Sequence, residues 1–240
     1  MDEQATFQIY VPSYHRADRI LTYNLFEQCK YMVRKSEVDA YIAGGIKPED
    51  IWAVDDELIN SGSKAYWYII NNAPEDVFVI ADDDIEDFQY LIDKNKMIGK
   101  DKKVITAEVE RIAQILLDLN IGLGYIGPNA IPYNYDREFA WKQIPGAVKW
   151  FNRKVFKAKL DPTVSENFDI DMILQELLYN RITLSPKYLY DKGKIDVNAG
   201  GNSARKHQDQ LTSITNMKAK WGRCFQYDMK KNKPKINVDR

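Results

Sequence analysis

The hydrophobic pattern of the N-terminal part of the chain predicts strands that alternate with helices. Phe7–Pro12 and Ile51–Val54 are short β-rich runs, and Val77–Ala81 is apolar at every position. A short apolar run without alternation is typical of a strand that is buried on both faces in the middle of a parallel sheet. Between these runs the pattern predicts a helix over residues 18–35 and a further strand over residues 40–43.

A further helix, over residues 61–71, is predicted after the capping sequence Ser61-Gly62-Ser63. The N-terminal part therefore has the order βαββαβ, which is that of an α/β domain with an open, mostly parallel central sheet flanked by helices. The rest of the chain is less regular. It is predicted to contain helices over residues 106–119 and 168–180, strands over residues 121–127 and 148–151, and a loop over residues 128–145.

Composition and charge narrow the class of protein. The 240 residues fit one α/β domain. With 34 basic and 35 acidic residues the net charge is −1, which argues against a protein whose main task is general nucleic-acid binding. The two cysteines form no CxxC motif, so neither a disulfide framework nor a zinc site is predicted. A signal peptide and a membrane-spanning run are not recognised, and a cytoplasmic location is expected.

The most informative feature is the acidic triplet Asp82-Asp83-Asp84, which directly follows the buried run Val77–Ala81. Ligand sites of open α/β sheets lie beyond the carboxyl ends of the strands. Adjacent carboxylates repel each other, and a divalent cation removes that penalty. Because alternate side chains point the same way, Asp82 and Asp84 are predicted to share Mg²⁺ or Mn²⁺, ions that prefer carboxylate and phosphate oxygens. The alternative is a solvated acidic turn.

The triplet in this position resembles the DxD motif of glycosyltransferases with the GT-A fold, a single Rossmann-like domain. Three more segments are similar to motifs of that family: Val11 to Arg16, Asn60 to Ala65, and Glu166 to Asp171. The resemblance covers residues 7–207. It implies a nucleotide-sugar-binding half over residues 1–95, an acceptor and catalytic half over residues 96–216, and a basic tail over residues 217–240.

The resemblance also implies roles for individual residues. It predicts a nucleotide-sugar donor, most simply a UDP-sugar, held by Pro12, Ser13, Arg16, Asp55, Ser61, Gly62, Lys64, Asp83 and Arg205. It predicts that Mn²⁺ or Mg²⁺ is held by Asp82, Asp84 and His207. It predicts a catalytic carboxylate among Glu166, Asp169 and Asp171, with Asp169 preferred. Acidic residues at the start of a helix are also favoured by the helix dipole alone, and Asp55 and Ser61 also suit helix capping.

Within the family, the strand-one Pro-Ser-x-x-Arg segment and the loop Asn198 to Asn202 are most similar to the phage and protist enzymes that glycosylate hydroxymethylated pyrimidines in DNA. These are the TET-associated glycosyltransferases, related to the base J glucosyltransferase. The resemblance implies a DNA acceptor, contacted by Trp150, Gly200, Gly201 and Asn202, and the host cytoplasm as the location of a phage protein. The basic tail would contact DNA phosphates, or it is a solvated segment. Core packing is the alternative for Trp150.

Two other functions use similar elements. A sugar-1-phosphate nucleotidyltransferase is expected to carry a glycine-rich basic loop after the first strand, and Pro12 to Arg16 contains no glycine. A phosphatase of the haloacid dehalogenase type is expected to have Thr or Val and then Gly after its DxD motif, where this chain has Ile85 and Glu86. A non-catalytic module that binds a nucleotide sugar is the remaining alternative.

Overall fold

The computed structural model of the protein describes residues 6–92, 95–99, 101–127, 136–193 and 207–239. The strands are β1 (Phe7–Pro12), β2 (Lys30–Arg34), β3 (Ile51–Val54), β4 (Val77–Ala81), β5 (Ile85–Ile92), β6 (Asn95–Gly99), β7 (Leu123–Tyr125), β8 (Phe139–Ala140), β9 (Val148–Asn152), β10 (Ser185–Pro186), β11 (Leu189–Gly193), β12 (Phe225–Asp228) and β13 (Lys233–Ile236). The helices are α1 (Val38–Ala43), α2 (Gly62–Asn72), α3 (Lys102–Asp118), α4 (Phe168–Tyr179) and α5 (His207–Trp221).

Six strands form the main sheet, in the order β3-β2-β1-β4-β9-β7. The strands β1 to β4 are parallel to one another, whereas β9 is antiparallel to both of its neighbours. Every residue of β4 is buried, as the apolar run predicted. The α/β fold class with a mostly parallel central sheet is therefore confirmed. The carboxyl ends of β1 to β4 lie at one edge of this sheet, which is where α/β proteins bind ligands.

Alternate residues of each strand point to opposite sides of the main sheet. Both sides of β4 are apolar, and helices cover both faces of the sheet. Val77, Val79 and Ala81 pack in a hydrophobic cluster with residues of α3. Phe78 and Ile80 pack on the other face, in a cluster with residues of α2, α4 and α5. The result is a three-layer arrangement that buries the sheet on both sides.

A three-stranded antiparallel sheet, in the order β11-β5-β6, lies next to the carboxyl end of β4. Its middle strand β5 begins at Ile85, directly after the acidic triplet. The strand β11 pairs along β5, with Tyr190 opposite Gln89 and Gly193 opposite Ile85. This pairing brings residues from late in the chain back to the triplet.

The prediction for residues 18–43 was wrong. The structure has a short 3₁₀ helix at Thr22–Asn24, then β2, then α1 where a strand was predicted. The three central residues of β2 are buried between β1 and β3. Pairing on two sides outweighs the helical spacing of the local sequence, since tertiary packing routinely overrides propensity.

The segment from residue 217 to residue 239 is folded onto the domain. It comprises the end of α5 and the hairpin of β12 and β13, in which Phe225 pairs with Ile236. Both side chains are buried in the cluster that also contains α2 and α4 residues. The interpretation of this segment as a solvated tail is thus corrected. Among the described residues no helix is both long and apolar enough to cross a membrane.

Candidate functional site

The acidic triplet begins where β4 ends, and its backbone is fixed on two sides. The backbone amide of Asp82 donates a hydrogen bond to the Ala147 carbonyl, at 3.0 Å. The Thr22 hydroxyl donates to the Asp82 carbonyl at 2.6 Å and accepts a bond from the amide of Ile85 at 3.2 Å. The turn between β4 and β5 is therefore held in one conformation, and the three carboxylates have fixed directions.

Asp83 points into the protein. Its carboxylate accepts hydrogen bonds from the Ser13 hydroxyl and from the Arg16 guanidinium, and all three side chains are buried. Arg16 also bonds Asp84, with Nη1 3.1 Å from Oδ2. The three groups bind each other and position the triplet, and the predicted contacts of Ser13, Arg16 and Asp83 with a nucleotide stay predictions.

Asp82 and Asp84 are half-buried at the edge of the sheet. Burial is the main cause that raises the pKa of each carboxyl. The charge of Asp84 raises the pKa of Asp82 further, and the charge of Asp83 does the same for Asp84. The Asp82 carboxylate is held by the Tyr66 hydroxyl, which donates to Oδ1 at 2.5 Å. A bound cation would stabilise a site of this kind, because its charge compensates the repulsion between the carboxylates.

The start of α4 lies close to Asp82. The ring of Phe168 packs on Tyr66, with the centroids 5.1 Å apart. Burial is the main cause that raises the pKa of both Tyr66 and Asp82, and the charge of the neighbouring Asp169 adds to both shifts. Asp169 is half-buried, and its Oδ1 accepts a bond from the amide of Ile170 at 2.8 Å. The structure thus brings the preferred catalytic carboxylate to the predicted metal-binding carboxylate.

Asp191 and Lys149 belong to the same site, and the sequence analysis missed both. Asp191 on β11 is buried, accepts a bond from the Ala147 amide at 3.2 Å, and has its pKa raised to about 7, mainly by burial and in part by Asp82. Lys149 on β9 is buried, and its positive charge opposes the rise that burial causes in the pKa of Asp82. Both residues stand in ordinary strand sequences, so no local signal marks them.

The donor set fits Mg²⁺ or Mn²⁺ in part. Asp82 and Asp84 offer carboxylate oxygens, which are the ligands these ions prefer. Among the described residues no group of three His, Cys, Asp or Glu side chains is arranged to hold a metal ion. A metal ion held by these two carboxylates would therefore need further oxygen or nitrogen ligands from elsewhere.

Two predicted site residues have structural roles, and both predictions are corrected. Asp171 is buried, and its carboxylate binds the Lys220 ammonium, the Trp221 indole at 2.7 Å and the Gln175 amide at 2.7 Å. It therefore attaches α5 to α4. Trp150 has no exposed surface, and its Nε1 donates to a backbone carbonyl of α3 at 2.8 Å. It packs in the core and cannot contact an acceptor.

The predicted nucleotide-binding residues of α2 lie at the correct edge of the sheet. Ser61 caps the helix by accepting a bond from the Lys64 amide at 3.3 Å, and Gly62 is the first helical residue. Ser61 and Lys64 are exposed. Asp55 follows β3, is exposed, and pairs with Lys35 at 2.7 Å. Because Tyr66, in the second turn of α2, bonds Asp82, the N-terminal part of this helix lies near the acidic triplet.

Other predicted residues are placed as follows. Pro12 ends β1 and Glu166 lies in a 3₁₀ helix before α4, both half-buried. Four of the predicted residues lie outside the described part of the chain, namely Gly200, Gly201, Asn202 and Arg205. The side chain of His207 is not described either, but its backbone is the first residue of α5.

The direction of α5 gives the position of its first residue. Lys220 binds Asp161 at 2.7 Å, and Ser213 accepts a bond from Asn167 at 2.9 Å. The helix thus runs antiparallel to the segment that leads into α4. His207, at the start of α5, lies beyond Ser213 toward the end of that segment where α4 begins.

No protein-family model matches the sequence, and no curated protein sequence matches it. Solved structures do match the fold. A mannosyltransferase from Pyrobaculum calidifontis in complex with GDP-Man and Mn²⁺ has a TM-score of 0.59 at 13% identity, covering 90% of this chain and 64% of that one. The chain has a GT-A fold. It spans 64% of the length of that mannosyltransferase.

A second GT-A structure covers nearly the whole chain. Glucosyl-3-phosphoglycerate synthase from Mycobacterium tuberculosis, in complex with Mg²⁺ and UDP, has a TM-score of 0.51 at 9% identity, covering 97% of this chain and 87% of that one. Its complex with Mn²⁺, UDP-Glc and phosphoglyceric acid has a TM-score of 0.52 at 8% identity, covering 97% and 86%. The GT-A resemblance is confirmed as a fold, and the resemblance to the DNA-base enzymes rests on the sequence motifs alone.

Proposed function

We propose that the protein is a glycosyltransferase that uses a nucleotide-sugar donor together with Mn²⁺ or Mg²⁺. The observation that carries this proposal is the pair of half-buried carboxylates Asp82 and Asp84, which have raised pKa values at the ligand-binding edge of a GT-A sheet. Structures of the same fold contain GDP-Man with Mn²⁺ and UDP-Glc with Mn²⁺.

The donor would lie between the acidic triplet and the start of α2. Asp82 and Asp84 would hold the metal, with phosphate oxygens and the imidazole of His207 completing its shell. The metal, when bound, stabilises negative charge on the diphosphate. The N-terminus of α2 favours an anion because its backbone amides and its dipole point outward, and the exposed Lys64 adds a positive charge. Arg205 and Asp55 remain proposed contacts to the diphosphate and to the nucleoside.

Asp169 is the proposed general base for a transfer that inverts the anomeric centre, and a retaining transfer would need a different role for it. Its carboxylate would accept the proton of the acceptor hydroxyl while that oxygen attacks the anomeric carbon. The bond between the anomeric carbon and the phosphate oxygen breaks at the same time, and the nucleoside diphosphate leaves with the bonding electrons. Asp171 is unsuited to this role because Lys220, Trp221 and Gln175 engage its carboxylate. Glu166 remains an alternative base on the same segment.

The proposed acceptor is a hydroxymethylated pyrimidine in DNA. In addition to the sequence motifs, the C-terminal part of the structure supports it. The end of α5 and the following hairpin carry exposed basic side chains, which suit contacts to a phosphate backbone. They are Lys218, Arg223, Lys230, Lys231, Lys233 and Lys235. Gly200, Gly201 and Asn202 stay proposed acceptor contacts.

Donor binding is tested with a thermal-shift panel of UDP, GDP and their sugars, with and without Mn²⁺. We expect one nucleotide to raise the melting temperature only when the metal is present. Asp84→Asn should abolish that shift, whereas the exposed Asp118→Asn on α3 should retain it. If no nucleotide stabilises the protein in the presence of metal, the proposed donor site is wrong. Release of pyrophosphate from a nucleoside triphosphate would support the nucleotidyltransferase alternative.

The acceptor is tested by transfer of radiolabelled sugar to duplex DNA. We expect label on hydroxymethylated duplex and none on an otherwise identical plain duplex. Replacing Lys230, Lys231 and Lys233 by Gln should raise the KM for DNA, whereas replacing Lys102 and Lys103 at the exposed start of α3 should not. Equal labelling of both duplexes, or of neither, would contradict a hydroxymethylpyrimidine acceptor.

A further inference from the structure

A cavity of about 620 Å³ lies away from the acidic triplet. Its inner wall includes Phe78, the second residue of β4, whereas Asp82 follows the last residue of that strand. Four residues of strand span about 13 Å. The cavity therefore opens toward the amino end of β4, on the face covered by α2 and α4. None of the described residues that are proposed for donor, metal or catalysis lines it.

Aromatic rings form the inner walls of this cavity. Phe78 stacks on Phe151 with the ring centroids 5.1 Å apart, and Phe156 meets Phe151 edge-on at 5.2 Å. Trp67 of α2 lies 6.1 Å from the ring of Phe156. Tyr179, at the end of α4, is largely exposed and completes the aromatic lining. Flat apolar walls of this type favour a flat aromatic ligand.

The charged side chains that line the cavity are all cationic. They are Arg153, Lys157 and Lys159, which lie on the segment after β9 and are exposed. In the described part of the chain no Asp or Glu lines the cavity. In a chain whose net charge is −1, this local excess of positive charge favours an anion.

Trp67 contributes its ring, and not its nitrogen, to the cavity wall. The residue is 6% exposed, and its Nε1 is enclosed by protein atoms, with no hydrogen-bond partner among the described residues. The indole is therefore held in place inside the protein while its ring lines the cavity. Its N–H resonance reports on a flat ligand that packs against this ring.

The wall that carries the cations is held in place by α4. The buried Glu176 accepts bonds from the amides of Lys157 and Ala158, at 2.6 and 2.9 Å. The side chain of Gln175 accepts from the Lys159 amide and donates to its carbonyl, at 2.9 and 2.8 Å. The cavity is thus formed without a ligand, so binding would require little ordering of the protein.

We propose that this cavity is a second binding site, which takes a flat aromatic molecule bearing an anionic oxygen group. The ring system would pack among Trp67, Phe156 and Tyr179. The anionic group would face Arg153, Lys157 and Lys159. The site is independent of the proposed donor site, and its ligand is either a carboxylate or a phosphate ester.

The test uses the full chain labelled with ¹⁵N and the indole resonances of its five tryptophans. The probes are 2-naphthoate, 2-naphthyl phosphate, and the cationic 2-naphthylmethylamine as the matched control. We expect one or both anions to shift the Trp67 Nε1–H signal saturably, because their ring would pack against the indole, and we expect the amine to leave it unchanged. The anion that binds more tightly identifies the group. An equal effect of the amine, or no saturable shift with either anion, overturns the proposal.

Charge dependence is tested with Lys157→Gln/Lys159→Gln, which changes only exposed side chains. We expect its dissociation constant for the preferred anion to rise about tenfold, as the loss of two exposed attractions predicts. The control Lys154→Gln removes a neighbouring exposed lysine that pairs with Asp76 and does not line the cavity, and it should bind normally. Asp84→Asn should also bind normally. Equal affinity of the double variant and the parent would contradict the site.

Discussion

The Tyr66 hydroxyl donates a 2.5 Å hydrogen bond to Oδ1 of Asp82, and this bond connects α2 to the acidic triplet. Outer-shell bonds of this kind orient a metal-binding carboxylate, and their loss commonly lowers metal affinity about 10- to 100-fold. We therefore expect Tyr66→Phe to need correspondingly more Mn²⁺ for half-maximal stabilisation by UDP in a thermal-shift titration.

The matched control for this prediction is Tyr68→Phe. Tyr68 lies on the same helix, is half-buried, and packs on Trp52 at 5.6 Å. It makes no contact with the triplet, so its variant should titrate like the parent. The assigned role of Tyr66 fails if both variants show the parental Mn²⁺ dependence.

Arg16 binds Asp83 and Asp84, and we predict that its loss lowers stability. Removing one partner of a buried ion pair typically costs about 3–5 kcal/mol, because a buried charge loses its compensation. Arg16→Met should show this loss in urea unfolding. Arg16→Met/Asp83→Leu should recover much of it, since both charges are then absent.

The control for Arg16 is Arg19→Met, in which an exposed guanidinium that pairs with Asp18 is lost. Exposed pairs contribute about 0–1 kcal/mol, so this variant should unfold close to the parent. A similar small loss for Arg16→Met would show that the buried bridge does not support the triplet.

Replacing Asp169 should affect catalysis, whereas replacing Asp171 should affect stability, although both residues lie at the start of α4. We expect Asp169→Asn to lower kcat by about 10²- to 10⁴-fold, the usual contribution of a general base, with little change in melting temperature. We expect Asp171→Ala to lower stability by about 1–3 kcal/mol, because it leaves the Trp221 indole without its acceptor and leaves Lys220 only its bond to Asp161. Transfer assays and urea unfolding are carried out on both variants. A loss of kcat in Asp171→Ala together with a loss of stability in Asp169→Asn would contradict the assigned roles.

Asp191 should make stability depend on pH. Its pKa is raised from 3.8 to about 7 in the folded state, mainly by burial, so the folded protein binds the proton more tightly than the unfolded chain. The stabilising contribution is complete below about pH 4 and is lost as the pH rises through about 7. Asp191→Asn keeps the acceptor for the Ala147 amide, and it should gain stability relative to the parent over this range, by at most about 4 kcal/mol.

A control with the opposite sign is available in Asp136, an exposed residue whose pKa is lowered to about 2, first by its bond to Lys187. Its contribution is present at neutral pH and is lost as the pH falls toward 2. Urea midpoints of the parent, Asp191→Asn and Asp136→Asn between pH 3 and pH 8 are the measurement. If the difference in urea midpoint between the parent and Asp191→Asn stays constant with pH, the raised pKa assigned to Asp191 is wrong.

The strands and helices that the sequence predicted correctly are those with a strong pattern. The run Val77–Ala81 is β4, the capped helix after Ser61 is α2, and the periodic segment after Asn167 is α4. Residues 18–43 were mispredicted because β2 is stabilised by pairing with β1 and β3, and both of these strands lie outside that segment. Pairing of this type leaves little trace in a short window.

The same distinction applies to the site. The sequence by itself determined that three carboxylates follow a buried strand, that a capped helix precedes them and that acidic residues open a later helix. Only the tertiary structure decided which groups meet: Asp83 turns inward to Arg16, Asp171 attaches α5, and Asp191 and Lys149 join the site from other strands. The physical reason is that periodicity and capping are local, whereas burial and charge pairing depend on strands that the fold brings together.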